Sequence, residues 1–161
     1  MPLLEGPIVI GHGPRRRLRL SGNVKRRRLH QITFSLAGLY NVTWGICSSL
    51  GPQWFFRYTG MPLLNHPEIF VCLAMVIGLY GILYLDVARE PERGWLIAAI
   101  GMMGKILGPF GALRLISSGQ WPSKAVILCV WNDATWWVPF GIYLFDAWSL
   151  SEPKSRGRNA F

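Results

Sequence analysis

Residues 95–116, WLIAAIGMMGKILGPFGALRLI, decide how this chain folds. A membrane-crossing helix takes about 20 mostly apolar residues. This run is that long, and it carries Lys105 in its middle. Residues 124–148, KAVILCVWNDATWWVPFGIYLFDAW, are built the same way around Asn132 and Asp133. An ionisable group at the centre of a span costs roughly 2.5–3.5 kcal/mol on insertion scales, so it marks a functional site unless it is paired or wetted. Lys105 and Asp133 are opposite in charge and similar in depth, so they can pair.

Two further apolar runs precede these, residues 30–50 and residues 67–88. None of the four shows the polar residue at every third or fourth position that the outer face of a soluble helix carries. With 51% of 161 residues apolar, the expected fold is all-α. It is a polytopic membrane protein, an antiparallel four-transmembrane-helix bundle over residues 30–148. Residues 1–29, rich in Gly, Pro and Arg, read as a disordered basic tail, and residues 149–161 as a second tail.

The formal charge of +9 suggests nucleic acid in a soluble protein, but its distribution points elsewhere. Arg15, Arg16, Arg17, Arg19 and residues 25–28 precede the first run, Arg89 and Arg93 follow the second, and Lys154, Arg156 and Arg158 follow the fourth. With four spans these regions share one side, while the other side carries Arg57 and Lys124. The positive-inside rule then predicts both termini in the cytoplasm, in a bacterial-type inner membrane. The basic tail suits anionic lipid head groups, at about 1 kcal/mol per Lys or Arg near the surface; no nucleic-acid partner is expected. The first run lacks an Ala-x-Ala-like cleavage site and exceeds a signal peptide's apolar core.

Residues 51–66, GPQWFFRYTGMPLLNH, read as an aromatic segment lying at the interface. A lid over a substrate site is the sharper alternative. The short connection at residues 89–94 makes the second and third runs antiparallel neighbours. Gly101, Gly104, Gly108 and Gly111 form one stripe on the third run, the kind that lets helix backbones approach in lipid; Gly78 and Gly81 offer a shorter version on the second. Lys105 lies on the striped side and so should face protein. Pro109 leaves the Lys105 carbonyl without its helical donor, and Pro139 does the same to Thr135. Each freed carbonyl needs a partner at membrane depth.

At 1.5 Å per residue Lys105 and Asp133 lie about 15 Å and about 13 Å into their spans, near the middle of a core ~30 Å thick. Asn41 of the first run reaches a similar height. Asn41, Lys105, Asn132 and Asp133 are therefore the candidate site, with Trp136 and Trp137 forming an aromatic wall beside the carboxylate. Two readings stand side by side: a buried ion pair that sets helix register, or a polar pocket or proton path. Asp86 and Asp146, near the ends of their spans, should pair with Arg89 or Arg93.

No catalytic residue, metal site or cofactor is expected. No His stands inside a span to ligate haem, and Cys47, Cys72 and Cys129 form no Cys-x-x-Cys pair, so they read as small buried hydrophobes. No phosphate loop or nucleophile elbow is present.

Residues 78–140 resemble a group of small, mostly uncharacterised bacterial four-helix membrane proteins, DoxX-like in pattern. The resemblance is carried by Gly78-Leu79-Tyr80-Gly81, Asp86-Val87-Ala88-Arg89-Glu90-Pro91, Gly104-Lys105, Gly108-Pro109, Asn132-Asp133 and Trp136-Trp137-Val138-Pro139-Phe140. It implies a four-helix bundle with central polar residues. It also implies loose oxidoreductase labels, which this chain lacks the cysteines to support. The expected function is non-catalytic: an accessory subunit or a binder of a small polar or lipid-like ligand. An oligomeric proton-coupled transporter or channel with a Lys105–Asp133 relay is the second reading, and a membrane redox enzyme the third.

Overall fold

The computed structural model describes residues 24–151. The chain is helical, with no strand among the described residues. Helix α1 is Arg27–Leu50, α2 Trp54–Thr59, α3 Pro67–Arg89 and α4 Trp95–Ser117. The last long rod has three parts: α5 (Val126–Leu128), a π-helical segment (Cys129–Ala134) and α6 (Thr135–Ser151). Single 3-10 turns, Pro91–Arg93 and Ser123–Ala125, lead into α4 and into the rod. Among the described residues, three helices are long and apolar enough to cross a membrane: Pro67–Arg89, Trp95–Ser117 and Ser123–Trp148.

α1 has 24 residues, as long as these but more polar. Its polarity is turned inward. His30, Thr33, Asn41 and Ser48 are buried, while Leu29, Ile32, Leu36, Leu39, Ile46 and Leu50 are exposed. A helix in water buries its leucines, whereas a helix in lipid gains nothing by doing so and packs through small and polar residues. Val24 is buried and helix begins at Arg27. The end of the stretch expected to be disordered therefore joins the fold; the rest of that basic tail, residues 1–23, lies outside the described residues, as do residues 152–161.

α1 and α3 are the most intimately packed pair, and glycine is the reason. A methyl added at Gly45 would stand 2.8 Å from the Ala74 carbonyl oxygen and from Gly78 Cα. One added at Gly81 would stand 2.7 Å from the Gly38 carbonyl oxygen. The contacting atoms are backbone and cannot swing aside. The expected α4 stripe divides instead. Gly101 backs onto the Tyr84 hydroxyl and Gly108 leaves room for Asp133, but nothing approaches Gly104 or Gly111 within 4 Å.

Two apolar cores fill the ends of the molecule. One is aromatic and lies towards the start of α1, where the Phe34 ring centroid is 4.6 Å from that of Phe140 and 4.7 Å from that of Tyr143, and Tyr84 meets Phe140 at 5.2 Å. The other gathers Phe55, Phe56, Met61 and Ala125 beneath α2. A side-chain clip shapes that cap: Gln53 Nε2 donates to the Leu64 carbonyl at 2.9 Å, and the Leu64 amide donates to Gln53 Oε1 at 3.1 Å. Gly60, with φ +75°, closes α2 in the left-handed region that favours glycine. Between the two cores lies a polar layer.

Candidate functional site

Lys105 is 5% exposed, in the middle of α4. Its Nζ donates to the Asn132 carbonyl at 2.7 Å and stands 3.9 Å from Asp133 Oδ1. The ammonium also lies 5.9 Å from the Trp136 ring centroid, within cation–π range. The shortest contact of the lysine is thus with a backbone oxygen rather than with its counter-ion. That oxygen belongs to the π-helical turn. Such single-turn irregularities in α-helices recur at functional sites.

The Asn132 amide is oriented by chemistry. Its Nδ2 donates to Asp133 Oδ1 at 3.0 Å. Turning the amide over would aim an oxygen at a carboxylate, so Nδ2 must face Asp133 and Oδ1 must face away. Asn132 Oδ1 is buried and has no hydrogen-bond partner. Trp136 Nε1 is buried and equally without one. On the far side of the carboxylate, a methyl at Gly108 would meet Asp133 Oδ2 at 3.4 Å. Glycine there keeps α4 open for the side chain.

The carbonyl freed by Pro109 has found a donor. Trp137 Nε1 donates to the Lys105 carbonyl at 2.9 Å, linking the main chain of α4 to α6. Trp137 therefore works at the edge of the site, while Trp136 stands against the lysine. Five of the six expected residues come together: Lys105, Asn132, Asp133, Trp136 and Trp137. Asn41 does not join them by any hydrogen bond. It is buried on the α1 face that carries Gly38 and Gly45, and its Oδ1 has no partner.

The layer adjoins a cleft of about 360 Å³. Tyr40 and Trp44 of α1 form one wall, and Trp54, Phe55 and Tyr58 of α2 form the roof. Ile127, Leu128 and Trp131 complete it, with Asn132 as its polar member. The aromatic segment expected to lie at the interface thus lines a cleft.

A second polar cluster was not anticipated in the sequence. Asp146 is buried on α6 and accepts from Arg26 Nε at 2.9 Å, Arg26 Nη2 at 2.7 Å and His30 Nε2 at 2.9 Å. The expected pairing of Asp146 with Arg89 or Arg93 is incorrect. Arg93 bonds Glu90 at 2.7 Å, and the Arg89 carbonyl accepts from Arg27 at 3.4 Å. Arg26 wins because its fork reaches the carboxylate bidentately, a geometry a guanidinium matches well. Its backbone stands at φ +55°, the one positive φ at a non-glycine among the described residues. Bonding to Asp146 raises the Arg26 pKa. Beside it the Tyr143 hydroxyl donates to the Pro91 carbonyl at 2.6 Å, and Arg27 meets Glu92 at 3.0 Å. Together these tie the start of α1 to α6 and to the α3–α4 connection. The signal available in the sequence was His30, a histidine at the end of an apolar run with an acid at the far end of another.

Cys47, Cys72 and Cys129 are free. Cys129 is buried as expected, but Cys47 and Cys72 are exposed, because they fall on the outward faces of α1 and α3. Comparison with known proteins finds no matching family, no similar curated protein and no similar solved structure.

Proposed function

We propose that the chain is a four-span protein of a bacterial-type inner membrane, with α1 as the fourth span and both termini cytoplasmic. In it, the layer of Lys105, Asn132 and Asp133 holds a small polar or lipid-like ligand without catalysing a reaction. The inverted pattern of α1, polar inside and leucine outside, supports the fourth span. The basic residues beside α1 and the α3–α4 connection support the orientation and a role for the tail in gripping anionic lipid. The DoxX-like pattern agrees with this architecture.

The observation that carries the ligand is the incomplete bonding of the layer. Buried polar groups in proteins nearly always have partners, yet Asn132 Oδ1 and Trp136 Nε1 have none, and an aromatic cleft opens beside them. A structural ion pair would be closed and short, and this one stands at 3.9 Å. That looseness also favours the second reading, a proton relay in an oligomer, because Asp133 can take a proton while Lys105 keeps its bond to the Asn132 carbonyl. The redox reading draws no support from three free cysteines, two of which face outwards.

The test is the thermal stability of the detergent-purified chain as wild type, Lys105→Met, Asp133→Asn and the double variant. A ligand site predicts modest losses with weak coupling between them. Collapse of each single variant with recovery in the double would make the pair a structural clamp and remove the main support for the proposal.

A further inference from the structure

The cleft is narrow, aromatic and electrically balanced, and these properties select a class of ligand. Its volume of about 360 Å³ lies at the small end of ligand sites, which run from about 300 to 1,000 Å³. One chain or one ring system fits; a two-chain phospholipid does not. Tyr40, Trp44, Trp54, Tyr58 and Trp131 line it, and Trp54, Tyr58 and Trp131 are exposed on the outside of the molecule. The cleft therefore opens at its aromatic rim.

Asn132 is the polar member of the lining, and behind that wall two buried groups lack partners. Asn132 Oδ1 needs a donor and Trp136 Nε1 needs an acceptor. They share a locality: Lys105 Nζ bonds the Asn132 carbonyl and lies 5.9 Å from the Trp136 ring centroid. Trp136 in turn lies 5.8 Å, ring centroid to ring centroid, from Tyr40 of the cleft wall. A hydroxyl both donates and accepts, so one hydroxyl can satisfy both groups. An ether or a ketone only accepts. A net charge finds no free counter-charge, since Lys105 and Asp133 already oppose each other, and an unpaired charge in an apolar site is costly.

We infer that the cleft binds an uncharged lipid alcohol, a single apolar chain or ring system ending in a hydroxyl, which seats between Asn132 Oδ1 and Trp136 Nε1. The inference rests on the ligand-binding reading above and names its ligand class. Lys105 is held by the Asn132 backbone oxygen, so a turn of the Asn132 side chain leaves that bond in place.

The test uses the full chain in phosphatidylcholine vesicles and 9,10-dibromooctadecanol, whose bromines quench nearby tryptophans on contact. Saturable quenching is expected, with the methyl ether of the same chain binding about tenfold more weakly or worse, because it cannot donate and leaves the buried Asn132 Oδ1 unsatisfied. Asn132→Leu should erase the preference for alcohol over ether. Tyr58→Ala, which alters only the roof, should weaken the alcohol and keep the preference. Equal binding of ether and alcohol to the wild type overturns the hydroxyl, and tighter binding of dibromostearate overturns the uncharged head; in both cases the ligand site survives. No saturable quenching by alcohol, ether, acid or the corresponding amine overturns this inference and the ligand-binding reading together.

Discussion

Two carboxylates of this protein, the buried Asp146 and the partly buried Asp133, are treated in opposite ways. Asp146 receives a bidentate guanidinium and a histidine, all within 2.9 Å. Asp133 has one amide at 3.0 Å and a lysine at 3.9 Å, and the residues around it leave a donor and an acceptor unused. The difference teaches which charge holds the fold. A short, multiply bonded buried carboxylate is a fastener between segments far apart in the chain. A loosely bonded one beside a cleft has bonding capacity left for something else. The fastener has one unused atom of its own, His30 Nδ1, on a ring that packs edge-on against Tyr143 at 5.2 Å.

The largest expected effect tests the fastener. Asp146→Ala leaves a buried histidine and an arginine without their partner, and removing one member of a buried pair costs about 3–5 kcal/mol. A melting temperature in detergent as high as the wild type's would break the comparison. Next come the backbone contacts. Gly45→Ala or Gly81→Ala forces α1 and α3 apart, and overpacking costs about 1–3 kcal/mol. Disulfide trapping between cysteines introduced on the two helices should report their separation.

Smaller effects belong to the polar layer. Lys105→Met and Asp133→Asn should each cost about 1–2 kcal/mol, less than Asp146→Ala, with a coupling in the double variant at the low end of the range for contacting groups, about 0.5–1 kcal/mol. A double-mutant cycle with strong coupling would erase the distinction between the two carboxylates. Trp137→Phe removes one interhelical hydrogen bond, worth about 0.6 kcal/mol on average in a membrane protein, a loss measurable by unfolding in mixed micelles. Smallest of all is Gly104→Ala, within about 0.5 kcal/mol, because nothing lies within 4 Å of the added methyl. A large loss there would show that a partner covers this face of α4.

Part of the site was legible because helical membrane segments follow simple periodicity. Lys105 and Asp133 could be matched by depth, since rise per residue is constant, and Pro109 announced an orphan carbonyl that Trp137 then filled. Asn41 met the same depth criterion and still does not join the cluster by any hydrogen bond, since depth says nothing about which neighbour a helix face meets. The α4 glycine stripe was half right for the same reason: Gly101 and Gly108 face neighbours, while Gly104 and Gly111 do not. Spacing shows that small residues share a face, but Gly38, Gly45, Gly78 and Gly81 make the closest backbone contact because α1 happens to lie on α3.

Local composition alone determined the helical class of this chain, its apolar spans and the presence of costly polar groups inside them, since each depends on residues near in sequence. Tertiary structure alone decided that Arg26 and His30 would hold Asp146 across 120 and 116 residues, and that α2 would roof a cleft ending at Asn132. It also decided that the lysine would bond a π-turn carbonyl more closely than its counter-ion. Each of these depends on how helices rotate and lean against one another, and residues distant in sequence meet only after that packing is set.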